Sequence, residues 1–321
     1  MREEIISFLG EDWKAFQSIY SAKLASEIPL LDHINGFLLD NGGKQLRPMM
    51  TLLIAKALSG VCSEGALSIA AAVEMLHTAT LLHDDVADDS PTRRGVPTVM
   101  ALFTPTTSVL VGDYWLSKAV DLVVVHSDPR IIKIFSKCLS DLAEGEMLQM
   151  AKAESLDTSE EDYRQIIYRK TASLFIAAAC SVAWVLGADD AQVEAVGTYA
   201  RHIGISFQMM DDILDYSPEL ALGKPTGQDV LEKKITLPLL GMMQNAPAEV
   251  TESFILKMKN PSEDLAAQAV DLVRKYGGFE FAEARLEQEV ALAKASLGCL
   301  PSSSAKDYLI RLADYMSLRR R

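Results

Sequence analysis

Apolar side chains recur along this chain every three or four positions, the period of a helix with one buried face, while the alternation of a half-buried strand is sparse. Ala, Leu, Met, Glu and Lys fill these stretches, and all of them favour helix. The pattern predicts helices over roughly 3–25, 30–40, 47–59, 64–86, 106–126, 130–153, 160–186, 190–216, 236–245, 263–275, 279–297 and 304–317. Pro29 and Pro48 fit first-turn positions, and Gly60 and Gly187 fit the position just after a helix end. Ser159 with Asp162 resembles a capping box in which Asp replaces the usual Glu. Three polar loops interrupt the pattern, at 41–48 (NGGKQLRP), 89–98 (DSPTRRGVPT) and 217–234 (SPELALGKPTGQDVLEKK). No Gly/Ser linker, composition shift or low-complexity stretch divides the chain. The expectation is one all-α domain over 1–321, a bundle of about ten to thirteen helices.

Two of the long helical runs end in the same form, Asp-Asp-x-x-Asp. The first is Asp84, Asp85 and Asp88; the second is Asp211, Asp212 and Asp215, 127 positions on (211 minus 84). Positions i and i+4 of a helix share a face, so each cluster aims its carboxylates at one point. Gathered carboxylates repel one another and resist desolvation unless a cation lies among them. Acid at a helix C-terminus also opposes the helix dipole, so a merely solvated acidic end is the weaker explanation. Oxygen-only ligands suit Mg²⁺, which keeps waters and shares substrate phosphates. Two such clusters point to a diphosphate gripped through metal ions.

Composition narrows the partners. The net charge of −13 argues against a nucleic-acid partner, which needs a basic face. With 49% hydrophobic and 23% charged residues, a sizeable core is expected and disorder is not. Cys62, Cys138, Cys180 and Cys299 lack CxxC spacing and read as free thiols of a reducing compartment. The N-terminus reads as an amphipathic helix, not a signal peptide, and charges break the apolar runs, so no membrane span is expected and the location is read as cytoplasmic.

Basic residues concentrate in and near the loops: Lys44 and Arg47, Arg93 and Arg94, Lys170, Lys224, and Lys233 with Lys234. Singly, each reads as a solvated surface charge. Arg93 and Arg94 are adjacent, and side chains of neighbouring residues in an extended loop diverge to reach two different anions. Guanidinium groups bind phosphate oxygens bidentately, whereas Lys acts as a point charge.

The order GGKQLRP, LHTATLLHDDVADDSPTRRG, YRKTA, FQMMDDILD, GKPTGQDVLEKKITLPLL resembles the trans-isoprenyl (polyprenyl) diphosphate synthases, most of all the long-chain octaprenyl and heptaprenyl type. The match spans roughly residues 30–240, with a compatible C-terminal third. The resemblance implies the isoprenoid synthase fold, helices around a deep central cavity. It implies that Asp84, Asp85 and Asp88 hold Mg²⁺ on the allylic diphosphate and that Asp211, Asp212 and Asp215 hold a third Mg²⁺. Lys44, Arg47, His77 and Arg94 match residues that bind isopentenyl diphosphate. Arg93, Lys170, Thr171, Gln208, Lys224 and Lys234 match those around the allylic diphosphate, with Lys233 leaving the last open by one position. Asp229 stands where relatives carry two acids; Gln228 replaces one, so no ligand is assigned there. His77 lies on nearly the same helical face as Asp84, whereas His83 reads as structural or supporting.

The implied reaction ionises an allylic diphosphate, adds the double bond of isopentenyl diphosphate and loses a proton, with released diphosphate as base. Short-chain enzymes of the family usually carry aromatic residues four or five positions before the first motif; here those positions are Thr80 and Ala79. Phe135 matches a bulky floor position of long-chain relatives, and the resemblance implies a product of six to eight units. A short-chain farnesyl or geranylgeranyl diphosphate synthase is the alternative. A class I terpene cyclase fits less well, because its second cluster usually departs from Asp, and a silent subunit of a heteromeric synthase tends to lose both clusters. The family is generally homodimeric, with helix 106–126 as candidate interface, and the product is one that a membrane enzyme takes over. Arg319, Arg320 and Arg321 would either cover the diphosphates or form a solvated tail.

Overall fold

A computed structural model describes residues 1–126, 128–217 and 226–318. Among these residues the fold is α-helical apart from one hairpin, Thr92–Arg93 paired with Val96–Pro97. Helix boundaries follow the sequence reading closely. Pro29 opens Pro29–Asp40, Gly60 closes Leu46–Ser59 with φ 81°, and Ser159 with Asp162 forms the capping box of Glu160–Ile167.

Seventeen α-helical segments occur among the described residues, more than the ten to thirteen expected. Three local causes account for the difference. Gly10, at φ 55°, breaks the expected 3–25 helix into Arg2–Leu9 and Glu11–Leu24. The expected 160–186 helix is interrupted by a π turn, Tyr168–Ala172, before Ser173–Val185 resumes. Short helix Gln228–Leu231 forms within the 217–234 loop, and Val99–Leu102 and the longer Ala248–Met258 form where no helix was expected.

The chain forms two compact units, each assembled from separate stretches of sequence. One comprises Met1–Phe135, Ala177–Val196 and Cys299–Leu309. Its centre is the pair Leu46–Ser59 and Glu64–Ala87, buried on nearly every face. The run Ala70–Ala71–Ala72 has no long side chains, which lets neighbouring helices approach closely. A buried polar link ties three more helices together. Asn35 donates to the Leu24 carbonyl at 2.7 Å and accepts from the Trp115 indole at 2.8 Å.

The second unit comprises Ser136–Ile176, Gly197–Gly298 and the chain from Ile310 on. Part of its core gathers Leu239, Met242, Phe254, Met258, Leu265 and Val273, from three helices of the C-terminal third, with Tyr216. Two helical runs, Glu64–Ala87 and Glu160–Val185, are long and apolar enough to cross a membrane, contrary to the sequence reading. Their apolar windows are 67% and 72% buried within the protein, as core helices are. The four cysteines are free thiols, as expected.

Candidate active site

The first aspartate cluster ends helix Glu64–Ala87. Ser63 caps that helix at its start by accepting the Ala66 N–H, and Asp88 is its C-cap. Asp85 is buried, Asp84 is half-buried and Asp88 is exposed. The Arg93 Nε donates to Asp85 Oδ1 at 2.6 Å. Burial raises the Asp85 pKa, and the hydrogen bond and charge of Arg93 oppose that rise.

Arg93 reaches Asp85 from the hairpin, not from an extended loop as the sequence was read. The two turn residues, Arg94 and Gly95, have φ 55° and 78°, the positive pair that a type I′ two-residue turn demands. The Thr98 hydroxyl closes the base by donating to the Ser90 carbonyl at 2.8 Å. Arg94 instead lies against the NGGKQLRP loop. A Cβ on Gly43 would stand 2.2 Å from Arg94 Nη1 and 2.9 Å from its Cζ, so the absent side chain of Gly43 is the space the guanidinium fills.

Behind that loop is a carboxylate the sequence reading missed. Glu74 is buried, and its Oε2 has no hydrogen-bond partner. Burial pushes its pKa up to about 7, while the nearby charges of Arg47 and Arg94 pull it down. One turn on, His77 is held well below the usual histidine range by burial first, then by Arg47, Arg94 and Arg93. His77 is therefore a neutral imidazole at neutral pH, a hydrogen-bonding group in a cationic neighbourhood. Arg47, His77, Glu74 and Arg94 thus share one electrostatic neighbourhood, and Lys44 stands beside Gly43. His83 turns elsewhere, 3.3 Å from the Val109 carbonyl and 3.3 Å from Asp113, against Gly112. Ala79 is buried, and the Thr80 hydroxyl donates to the His77 carbonyl at 2.8 Å. Phe135 is buried as well.

The second cluster ends helix Asp190–Asp215, and its three carboxylates differ in surroundings. Asp212 is buried and receives two donors: the Tyr163 hydroxyl to Oδ2 at 2.6 Å and the Gln208 amide to Oδ1 at 2.9 Å. The Thr171 hydroxyl donates to Gln208 Oε1 at 2.8 Å, which turns the Gln208 NH₂ toward Asp212. Burial nevertheless raises the Asp212 pKa to about 7. Asp215 accepts the backbone N–H groups of Gln228 and Asp229 at 3.1 and 3.0 Å, one on each oxygen. Asp211 is half-buried. Asp229, passed over in the sequence, is half-buried near Asp212 and Asp215, accepts from Thr236 at 3.1 Å and has its pKa raised well above the usual range, first by loss of solvent around its carboxyl.

A cavity in this unit is lined by Lys170, Thr171, Gln208, Asp212, Asp229 and Lys234. Lys234, and not Lys233, is on that lining. Lys170 and Thr171 lie in the π turn, whose widened backbone is a frequent feature of functional sites. Lys170 pairs with Glu146, and Arg169 with Glu144 at 3.0 Å. Lys224 and Arg319–Arg321 lie outside the described residues.

Among the described residues, no three His, Cys, Asp or Glu side chains close around an ion by themselves. Each cluster offers carboxylate oxygens alone, the donor type that suits Mg²⁺ sharing its coordination with water and phosphate and not a full protein cage. The donor set fits a hard divalent cation.

The polyprenyl synthetase family model matches residues 28–273. The chain is 35% identical to the all-trans-nonaprenyl-diphosphate synthase (geranyl-diphosphate specific) of Rhodobacter capsulatus, over 97% of this chain and 96% of that one. It is 36% identical to a short chain isoprenyl diphosphate synthase of Methanothermobacter thermautotrophicus, over 87% of each. Among solved structures, a polyprenyl synthase from Caulobacter crescentus, complexed with calcium and isoprenyl diphosphate, superposes with a TM-score of 0.91 at 33% identity, covering 100% of this chain and 98% of that one. With buried aspartates beside basic side chains in each unit, and with this likeness along its length, the chain belongs to the polyprenyl synthetase family of prenyl-transferring enzymes.

Proposed function

We propose that this enzyme condenses isopentenyl diphosphate with an allylic diphosphate, repeatedly, to give a long-chain all-trans polyprenyl diphosphate, and that the chain works as one synthase domain over 1–321. The observation that carries this reading is the hairpin of the first unit. It clamps the buried Asp85 with Arg93 and sets Arg94 against the loop of Lys44 and Arg47, so a metal-binding cluster and a second anion site share one short element.

Mg²⁺, three ions in all by family likeness, would be held by Asp84, Asp85 and Asp88 in the first unit and by Asp211, Asp212 and Asp215 in the second. When bound it withdraws charge from the departing diphosphate. Fixed positive charge, from Arg93 in the first unit and from Lys170 and Lys234 in the second, favours a departing diphosphate, so an allylic C–O bond breaks with its electron pair on oxygen. Lys44, Arg47, Arg94 and the neutral His77 hold isopentenyl diphosphate by its own diphosphate. Its double bond attacks the allylic carbon, a C–C bond forms, and a proton leaves to the released diphosphate. No protein general base is required. Ala79 and Thr80 are small, which supports a chain that grows past three units.

Incubation with labelled isopentenyl diphosphate, several allylic primers and Mg²⁺, with products sized by chromatography, tests the reading. Ladders of trans products are expected; no elongation with any primer removes it, and a cyclised hydrocarbon favours a cyclase. Products of six to eight units are the expected range, with Phe135 as floor. The Phe135→Ala enzyme should make longer products, and an unchanged distribution would remove Phe135 from this role.

Gly43 gives a second test. Gly43→Ala places a methyl where the Arg94 guanidinium lies. The end of a flexible side chain yields readily, so the fold should persist while KM for isopentenyl diphosphate rises about tenfold, the worth of one charge-assisted hydrogen bond. Steady-state kinetics showing an unchanged KM would detach Arg94 from that substrate. We also propose a homodimer. Val109, Leu110, Val120 and Val124 are exposed apolar side chains on Pro105–Val124, the helix the sequence nominated for an interface.

A further inference from the structure

Helix Glu160–Ile167 of the second unit is tied down at four points, and the sequence motifs give it no role. Its first turn is held by the Ser159–Asp162 capping box. Lys152 pairs with Asp162 at 2.9 Å, and Arg285 pairs with Glu160 at 2.9 Å. Surface pairs of this kind contribute little singly. The fourth tie is different, because it is buried. Glu289, 2% exposed, accepts from Arg164 Nη2 on one oxygen at 2.6 Å and faces His202 Nδ1 on the other at 2.6 Å. Arg164 follows Tyr163 in the chain, and His202 lies on the same helix as Asp212. A single carboxylate from helix Gly278–Ser296 therefore fixes the two helices that meet through the Tyr163–Asp212 hydrogen bond.

We infer that Tyr163 is a positioning residue for the second metal site, its hydroxyl fixing the orientation of the Asp212 carboxylate, and that Glu289 sets its reach. This rests on the reading of Asp212 as a metal ligand. Asp212 has one hydrogen bond on each oxygen, from Tyr163 and from Gln208, which together fix the carboxylate plane and leave the remaining lone pairs aimed elsewhere. Without the hydroxyl, only Gln208 restrains the group, and it can rotate about its Cβ–Cγ bond. Partners of this kind orient ligands, and losing one typically costs about ten- to a hundredfold in metal affinity. Phe at 163 keeps the ring in its buried place and removes only the oxygen.

The test measures Mn²⁺ binding to the full-length protein by electron paramagnetic resonance, with inorganic diphosphate present, for wild type, Tyr163→Phe, Glu289→Gln and Asp212→Asn. Asp212→Asn should lose the Mn²⁺ held at the second cluster, seen as a lower number of ions bound, while the first cluster keeps its own; if it binds as many ions as tightly as wild type does, the parent reading fails and this inference with it. Given that loss, Tyr163→Phe should bind Mn²⁺ about tenfold more weakly and recover turnover at excess Mg²⁺, which Asp212→Asn should not. Glu289→Gln, which leaves the tyrosine in place, should weaken Mn²⁺ in the same direction by a few-fold, and it decides the matter if Tyr163→Phe does not fold. Mn²⁺ affinity within twofold of wild type in the folded variants, even with a lowered melting temperature, would mean that Tyr163 only supports the fold and would overturn the inference.

Discussion

Asp85→Asn and Asp212→Asn enzymes should each turn over roughly a thousandfold more slowly than wild type, the cost of losing a group that stabilises charge as it develops. The two changes are nearly isosteric, so packing is kept while the anionic oxygen that would hold a cation is lost. Stability should not follow activity. Burial lifts the Asp212 pKa to about 7, above its ordinary value of 3.8. An acid raised in this way favours the folded state fully below its unfolded pKa, and that contribution is lost as pH rises through about 7. At pH 8 without metal, Asp212→Asn should therefore melt no lower than wild type, and the difference in its favour should shrink toward pH 5. Activity within tenfold of wild type for both variants would break the assignment of the clusters. Calorimetry across this pH range checks the stability half of the statement.

Gly204→Val should destabilise the protein by about 3 kcal/mol or prevent folding, the upper end of overpacking costs. A Cβ at Gly204 would stand 2.5 Å from Ala172 Cα and 3.2 Å from its backbone nitrogen. Backbone cannot swing away as a side-chain end does. Ala172 closes the π turn that carries Lys170 and Thr171, so any variant that does fold should also show a lowered kcat as these residues shift. Gly36 is the control: nothing lies within 4 Å of its added Cβ, and Gly36→Ala within a helix should be neutral or stabilising by up to about 1 kcal/mol. Denaturant melts of the two variants decide the point, and equal midpoints would show that the Gly204 contact is soft.

The sequence carried most of the helices because their signals are local and repeated. Caps at Pro29, Gly60 and Ser159 marked ends that the structure keeps. The hairpin at 92–97 escaped because strands of two residues have no period to read, and Arg94 in a turn otherwise suited to Asn or Gly gave no warning. The π turn escaped because one extra residue in a helix leaves no compositional trace. Tyr163 belongs to none of the sequence motifs, and its partner across 49 residues, Asp212, is what draws it to the site (212 minus 163). Glu74 was legible in principle: it is the one carboxylate in the apolar run from Ala66 to Leu82, and an acid there needs an explanation. Asp229 was set aside because Gln228 broke the expected pair of acids, whereas the fold brings it to the second cluster through Asp215.

Arg93 and Arg94 share a peptide bond inside a turn whose backbone has little freedom. One arginine engages Asp85, and the other fills the hollow left by Gly43. Any rotation of the hairpin that improves one contact alters the other. Linkage is reciprocal: if a cation arriving at Asp85 changes the affinity of Arg94 for an anion by some factor, that anion changes the cation's affinity by the same factor. The preferred order in which the two substrates load would then be written into the stiffness of a single two-residue turn.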